Sequence, residues 1–439
     1  MPTPPPITLR GHRDFQRLWA ADALSQVGAQ LTALALPIYA VRYLGADEMA
    51  MGYLSSSQTI AFLVLGLPAG VWVDRMRKRS VLIWADLLRA VVLGAVVVVA
   101  MLGYGSMPLL YVAGVAISVA TVFFDIAHLS YLPGLVGLAH ISEGNTKLQA
   151  TYSIAAVSVP AVGGALLRVV SSPILIAVNV VTYVVSVVIL GRIRHSEDRP
   201  PREQYIPLVP AMREGLAFIV RTPLLNRLVF ATAANAFFST MGFAMFTYYI
   251  LETLKRDSAT LGVIMTASAV GGILGAVIAR RATLWVGEGR IIALSALASP
   301  LLFAGLPLAW HLRDAVSPVV VVICAGFAMQ VSVTLFNVSQ VSFRQRLCPP
   351  ELLGRMNASF RFLVWGTMPF SGIVGGVIAD RWGVVTMLWV VVVGEVVAAL
   401  FLVLSPFVTL RDLPSRVMET VHDDGSAEES RQDRPSTNE

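Results

Sequence analysis

The chain has 439 residues, of which 56% are hydrophobic and only 14% charged, and it carries a formal net charge of +6. Soluble globular domains run near half apolar and a quarter charged, so this composition excludes a soluble protein and fits a helical bundle in lipid. The basic excess reads as Arg on the cytoplasmic side of a membrane protein, and nucleic acid is not an expected partner.

The N-terminus, MPTPPPITLRGHRDF, is proline-rich and then charged, without the short apolar core of a cleavable signal. Residues 1–17 are expected to be a cytoplasmic N-terminus. Apolar runs of spanning length follow at about 18–41, 51–73, 81–102, 108–130, 150–170 and 173–191. A second set falls at about 226–251, 259–279, 291–310, 318–341, 358–379 and 384–406. Between the sets lies GRIRHSEDRPPREQYIPLVPAMREGLAFIVRTPLLNR, the one long polar insertion, in which Met212, Leu216, Ile219 and Val220 recur at helical spacing. That pattern predicts an amphipathic helix on the membrane face. The stretch 407–439 is too poor in apolar residues to bury a core and is expected to be a disordered cytoplasmic tail.

The predicted fold is therefore all-α: a six-helix bundle over 18–191, a cytoplasmic linker over 192–225, and a second six-helix bundle over 226–406. Lys and Arg concentrate in the even-numbered loops and the two ends, which predicts that both termini are cytoplasmic in a cell (inner) membrane. The halves also repeat. VPAVGGALLR from Val159 parallels MPFSGIVGGVIADR from Met368, YLPGLV from Tyr131 parallels LCPPELLGR from Leu347, and Gly70 parallels Gly275. Three matches at similar offsets point to an ancient duplication and two pseudo-symmetric bundles.

Ionisable residues inside spans are functional candidates because lipid penalises them. In the first span Asp22, Gln26 and Gln30 form one polar stripe at i, i+4, i+8. Between the second and third spans stands GVWVDRMRKRS, with the pattern Gly70-x-x-x-Asp74-Arg75-x-x-x-Arg79. Gly70 would let two helices approach closely. Asp74 can meet a helix N-terminus, and Arg75 and Arg79 can reach an acid on another helix. Asp86 and Arg89 share a face at i, i+3, and Asp125 lies near the cytoplasmic end of the fourth span. Asp74, Arg75, Arg79, Asp86, Arg89 and Asp125 are expected to form one ion-pair network closing the cytoplasmic side; a static structural network is the alternative. Glu395 sits near mid-depth in the twelfth span and, with Asp22 and Asp125, is a candidate for carrying a proton; a gate role or a cationic-substrate contact for Asp22 and a neutral, hydrogen-bonded Glu395 are the alternatives.

The pattern from Gly70 to Arg79 resembles the signature of the major facilitator superfamily, and twelve spans with a long central loop resemble that family across the whole membrane region. In the second copy of the signature the acid position is Ala279, while Arg280 and Arg281 remain. GVIADRWG, from Gly376 to Gly383, resembles the signature too, but topology places it on the outer face, where it reads as a helix end with an interfacial Trp382. HRDFQRLWAADALSQVG, DLLRA, FFDIAHLSYLPGLV and LCPPELLGR further resemble the efflux branch that includes macrolide exporters and the enterobactin exporter. The resemblance implies that the first, seventh and tenth spans line a central cavity. Gln26, Gln30, Asn235, Phe238, Met241, Phe246, Gln330, Thr334 and Asn337 are then the candidate substrate contacts, a mixture of polar anchors with adaptable aromatic and Met surfaces.

There is no GxxxxGK[ST] phosphate loop, no HExxH, no Cys/His cluster of metal spacing and no nucleophile elbow, and Cys324 and Cys348 make no disulfide framework. An enzyme is not expected, nor a metal or cofactor. The expectation is a monomeric exporter of a bulky, partly apolar small molecule, driven by protons through alternating access. Uptake of a solute, or a transport-inactive sensor or assembly partner on the same fold, are the alternatives.

Overall fold

The computed structural model describes residues 9–66, 68–137, 140–195, 197, 208–349 and 352–409. The side chains of Asp74 and Met212, the residues 198–207 of the linker and the tail from 410 lie outside the described residues. Every element among the described residues is helical. The first half contains α1 (Arg13–Leu44), α2 (Glu48–Leu65), α3 (Pro68–Arg75), α4 (Lys78–Met101), α5 (Met107–Val136), α6 (Ile141–Leu166) and α7 (Ser172–Gly191). After α8 (Leu208–Arg221) come α9 (Pro223–Tyr248), α10 (Ser258–Val286), α11 (Glu288–Phe303), α12 (Gly305–His311), α13 (Pro318–Leu347), α14 (Leu353–Trp365), α15 (Met368–Trp382) and α16 (Val384–Val403).

Ten helical segments among the described residues are long and apolar enough to cross a membrane. Helix α2, shortened and rich in Ser, and α6, which begins in the polar text ISEGNTKLQA, run beside them and complete twelve spans. Spans two, nine and eleven, expected as single runs, are each built from two helices: α2 with α3, α11 with α12, and α14 with α15. Proline explains the breaks. Pro68 opens α3, Pro307 sits in the first turn of α12 and Pro369 in the first turn of α15, each lacking the N–H that a continuous helix needs. The α6 helix starts nine residues before its apolar run because Glu143 and Lys147 pair at i, i+4, with 2.8 Å between them, and keep the polar turns helical.

The linker helix forms as expected, but its partner is protein. Ile219 is buried against the second half, and Arg355 at the start of α14 pairs with Glu214. Leu216 and Val220 remain exposed.

Consecutive spans alternate in direction, so one face of the bundle, here the terminal face, carries both ends of the described chain. The opposite face is the distal face. One apolar cluster, running from Leu31 and Met51 to Met245, Leu261 and Val391, joins the two halves toward the distal face. Nearer the terminal face each half keeps its own core: Phe15, Leu82 and Leu132 in the first, Leu228, Ile292 and Phe343 in the second. The halves are thus fused distally and separate toward the termini.

Two glycine contacts make this distal seam. A Cβ on Gly52 of α2 would lie 2.5 Å from the carbonyl oxygen of Gly372 and 3.0 Å from Cα of Gly376, both on α15. A Cβ on Gly262 of α10 would collide with the carbonyl oxygen of Pro160 and lie 2.9 Å from Cα of Gly164, both on α6. Gly52 and Gly262 are 210 residues apart, and Gly372 and Gly376 each lie 212 beyond Pro160 and Gly164. The duplication read in the sequence is therefore visible as a two-fold pair of backbone contacts.

Candidate functional site

The first half holds a buried ion pair. Helix α4 places Asp86 and Arg89 one turn apart with 3.0 Å between Oδ1 and Nη1, and the two side chains are 0% and 5% exposed. Ser25 and Ser186 donate to Asp86 Oδ2 at 2.5 and 2.7 Å. Arg89 Nη2 donates to Thr121 at 3.0 Å, and its guanidinium lies 4.8 Å from the Phe124 ring centroid. Four helices, α1, α4, α5 and α7, thus satisfy a pair that lipid would otherwise penalise. Beside it opens a cavity of about 260 Å³ lined by Gln26, Gln58, Arg89, Thr121, Asp125 and Tyr183, among others.

Asp22 is buried just outside that lining. His128 Nε2 stands 3.3 Å from its Oδ1, within ion-pair distance but without hydrogen-bond geometry, and Gln26 donates to the same oxygen at 3.4 Å. Asp125 lies within electrostatic reach of Arg89, of His128 and, across the halves, of Arg361 on α14. Arg361 in turn stacks 4.1 Å from the Trp365 ring centroid, and Trp365 meets Phe62 edge-on at 5.0 Å.

The second half has a larger cavity, about 450 Å³, lined by Asn235, Asn337, Gln340, Arg344, Arg361 and Glu395, with Phe336, Phe360 and Trp365. The two cavities are built on matching positions. Thr121, Phe124 and Asp125 of one correspond to Val333, Phe336 and Asn337 of the other, each 212 residues on. Ser25 matches Asn235 and Arg89 matches Ser299 at 210, and Tyr183 matches Glu395 at 212. The chemistry has diverged: where the first half pairs Asp86 with Arg89, the second has Ala296 and Ser299.

The expected single network from Asp74 to Asp125 divides. Arg79 turns away from Asp125: its Nε donates to the carbonyl of Leu190 at 2.9 Å and its Nη2 to that of Gly191, at the end of α7. Depth explains this, because Asp86 lies seven residues along α4 from Arg79, about 10 Å at 1.5 Å per residue. Arg75 is exposed at the end of α3. The close approach expected at Gly70 is not found, since a Cβ there meets nothing within 4 Å. Sequence reasoning missed Glu197, whose carboxylate accepts from the backbone N–H groups of Lys78 and Arg79 at 2.6 and 2.7 Å and so caps α4. The only signal was an acid in a basic linker.

Of the expected cavity residues, Gln26, Asn235 and Asn337 line the two cavities. Met241 does not: it is buried in the distal seam, against Gly375. Phe238 packs around Gly394, Phe246 against the shared core, and Gln330 and Thr334 against Gly272 and Gly275 of α10. Gln30 is half-buried on α1 without lining either cavity. Phe238, Met241, Phe246, Gln330 and Thr334 thus hold packing positions, against glycines or the shared core.

The distal face closes with polar contacts between the halves. Arg42 Nη1 reaches Glu252 at 3.5 Å and its Nη2 donates to the carbonyl of Arg256 at 3.1 Å. Arg168 Nη2 is 3.6 Å from Asp257, and Thr266 donates to the carbonyl of Val157 at 3.1 Å. Asp257 also caps α10 by accepting from the Thr260 N–H at 2.9 Å. The Thr260 hydroxyl, then its N–H, hold the Asp257 carboxyl below its ordinary range. A depressed carboxylate contributes above its unfolded pKa and loses that contribution only as pH falls through the folded value. The Arg168–Asp257 contact should therefore be constant from pH 5 to 8 and weaken below about pH 4. Thermal unfolding of Asp257→Asn against the parent across that range checks this: a gap of about 1 kcal/mol or less, flat above pH 5, is expected for an exposed pair and cap. A gap that changes between pH 6 and 8 would refute it.

A family model described as Major Facilitator Superfamily matches residues 18–370. Among curated proteins, the chain is 25% identical over 376 residues to the multidrug efflux pump Tap of Mycolicibacterium fortuitum, covering 81% of this chain and 87% of that one. It is 24% identical over 373 residues to macrolide efflux protein A of Streptococcus pyogenes, covering 84% and 90%. Among solved structures, a bacterial homologue of the iron transporter ferroportin in an inward-facing state superposes with a TM-score of 0.73 at 15% identity, over 89% of this chain and 98% of that one. The nucleoside transporter NupG superposes with a TM-score of 0.72 at 14% identity, over 89% and 98%. At such identities the structural likeness speaks for the fold alone.

Proposed function

The chain belongs to the major facilitator superfamily of membrane transporters, and on that footing we propose that it exports a bulky, partly apolar small molecule in exchange for protons. The terminal face is cytoplasmic in this reading, because Lys and Arg concentrate there. The two cavities then face the cytoplasm as halves of one binding chamber while the distal seam is shut, and rocking of the halves exposes the chamber on the other side. The 18–191 and 226–406 bundles are the rocking units, and the monomer suffices.

The observation that carries the proton reading is Asp125. It is a carboxylate of the first cavity placed within electrostatic reach of Arg361 in the other half. Protonating it removes an attraction that crosses the halves, so proton occupancy and the relative position of the halves are thermodynamically linked. Asp22, beside His128, and Glu395, in the second cavity, are the other acids placed to take part.

The test is proton release from inside-out vesicles, followed with a pH-sensitive dye against a panel of macrolides, dyes and siderophores. Substrate-triggered release by the parent protein is expected, and Asp125→Asn should lose it while inserting normally. Full coupled export by that variant, or accumulation of substrate in intact cells in place of depletion, would sink the reading.

A further inference from the structure

The second cavity contains a cation without a counterion. Arg344, on the last turn of α13, is 8% exposed and lines the cavity. Its Nε and Nη1 have no hydrogen-bond partner, and neither has Oε1 of the neighbouring Gln340. Among the described residues no carboxylate pairs with it; its guanidinium lies 3.5 Å from the Phe360 ring centroid, packed face against the aromatic. Arg89, the buried guanidinium of the first half, has Asp86, Thr121 and two aromatic rings. The second half has lost both members of that pair, to Ala296 and Ser299, and its arginines Arg344 and Arg361 stand at positions of their own.

A buried guanidinium with free N–H groups is costly unless something fills them. Its planar fork matches the two oxygens of a carboxylate, and a second guanidinium, Arg361, lines the same cavity. Asn235 and Asn337 add polar contacts, and Phe336, Phe360 and Trp365 add apolar surface. Glu395 is the one acid of this wall, so the cavity's lining carries two cations to one anion.

We propose that the second cavity is an anion subsite, in which Arg344 receives a carboxylate, or another oxyanion of that size, borne by an otherwise aromatic or apolar ligand. This deepens the export reading by naming the substrate class: amphipathic organic anions or zwitterions. It rests on that reading only in treating this cavity as part of the substrate's route, and equilibrium binding tests it without transport.

The probes are 2-naphthoate and its uncharged counterpart 2-naphthamide, titrated calorimetrically into the full-length protein in lipid nanodiscs. The parent protein should bind the carboxylate at least about tenfold more tightly than the amide, as a charge-assisted fork contact implies. Arg344→Gln should bring the two within about twofold. Arg344→Lys, which keeps the charge and loses the fork, should fall between, and it serves as the comparison if the Gln variant melts early. Equal binding of both probes by the parent protein overturns the proposal, as does a full carboxylate preference in a folded Arg344→Gln. Carboxylate preference without substrate-driven proton release would leave the subsite standing and remove the export reading. Proton-coupled export without carboxylate preference would do the reverse.

Discussion

Gly262→Val is expected to reduce transport about fivefold or more while leaving the protein inserted in the membrane. Gly262 faces the carbonyl of Pro160 and the Cα of Gly164, which are backbone atoms and cannot rotate aside. A branched side chain must push α10 and α6 apart, and overpacking of this kind costs about 1–3 kcal/mol. That cost falls only on the state in which the distal seam is shut. It moves the conformational balance toward a distally open form by roughly 5- to 150-fold. A bifunctional cross-linker between cysteines at positions 168 and 257, whose native side chains lie 3.6 Å apart, reports the closed state directly. Cross-linking should drop with transport. Gly134→Val, where a Cβ meets nothing within 4 Å, is the control and should keep both. Unchanged cross-linking in Gly262→Val would mean that the seam is not what sets the closed state.

Arg89→Leu should be the most destabilising single change in the first half. Removing the guanidinium leaves Asp86, which is 0% exposed, with two serine hydroxyls and no countercharge. Breaking one partner of a buried pair costs about 3–5 kcal/mol, whereas replacing both by apolar residues is often neutral. The double variant Asp86→Leu, Arg89→Leu should therefore recover most of the loss in thermal unfolding. It should still transport poorly, because Arg89 lines the cavity and acts on Asp125. A double variant no more stable than Arg89→Leu would show that the surrounding hydroxyls, Ser25, Ser186 and Thr121, carry the stability and the ion pair does not.

Span number, linker helix and internal repeat were all legible in the sequence, because each is written in run length or periodicity. Lipid demands about 20 apolar residues per span, and a duplication repeats its small residues at one offset. Helix breaks were less legible, since hydropathy ignores the missing N–H of Pro68 or Pro369. The candidate site was legible by residue type and illegible by partner. Asp86 and Arg89 share a helix, so their pairing followed from spacing, while Arg79 and Glu197 are joined only through tertiary structure. Met241 and Gln330 were expected in the lumen because the resemblance places the seventh and tenth spans there, and a span's place does not say whether a glycine-bearing neighbour covers a given side chain. Arg344 stands two residues from Arg346 on the last turn of α13, and its burial against Phe360 separates it from that neighbour, which pairs with Glu288.

The central linker is fastened at both ends. Glu197 is bound to the first turn of α4 and α8 is docked on α14. Eleven residue steps separate Glu197 from Leu208, and at no more than about 3.6 Å each they reach roughly 40 Å whatever path they take. That contour length is the most by which these two anchor points can ever be parted. At the opposite end of the molecule, two glycine contacts hold the distal seam backbone against backbone. The stroke is thus bounded at both ends, by a length of chain at the terminal face and by side-chain-free backbone contacts at the distal one.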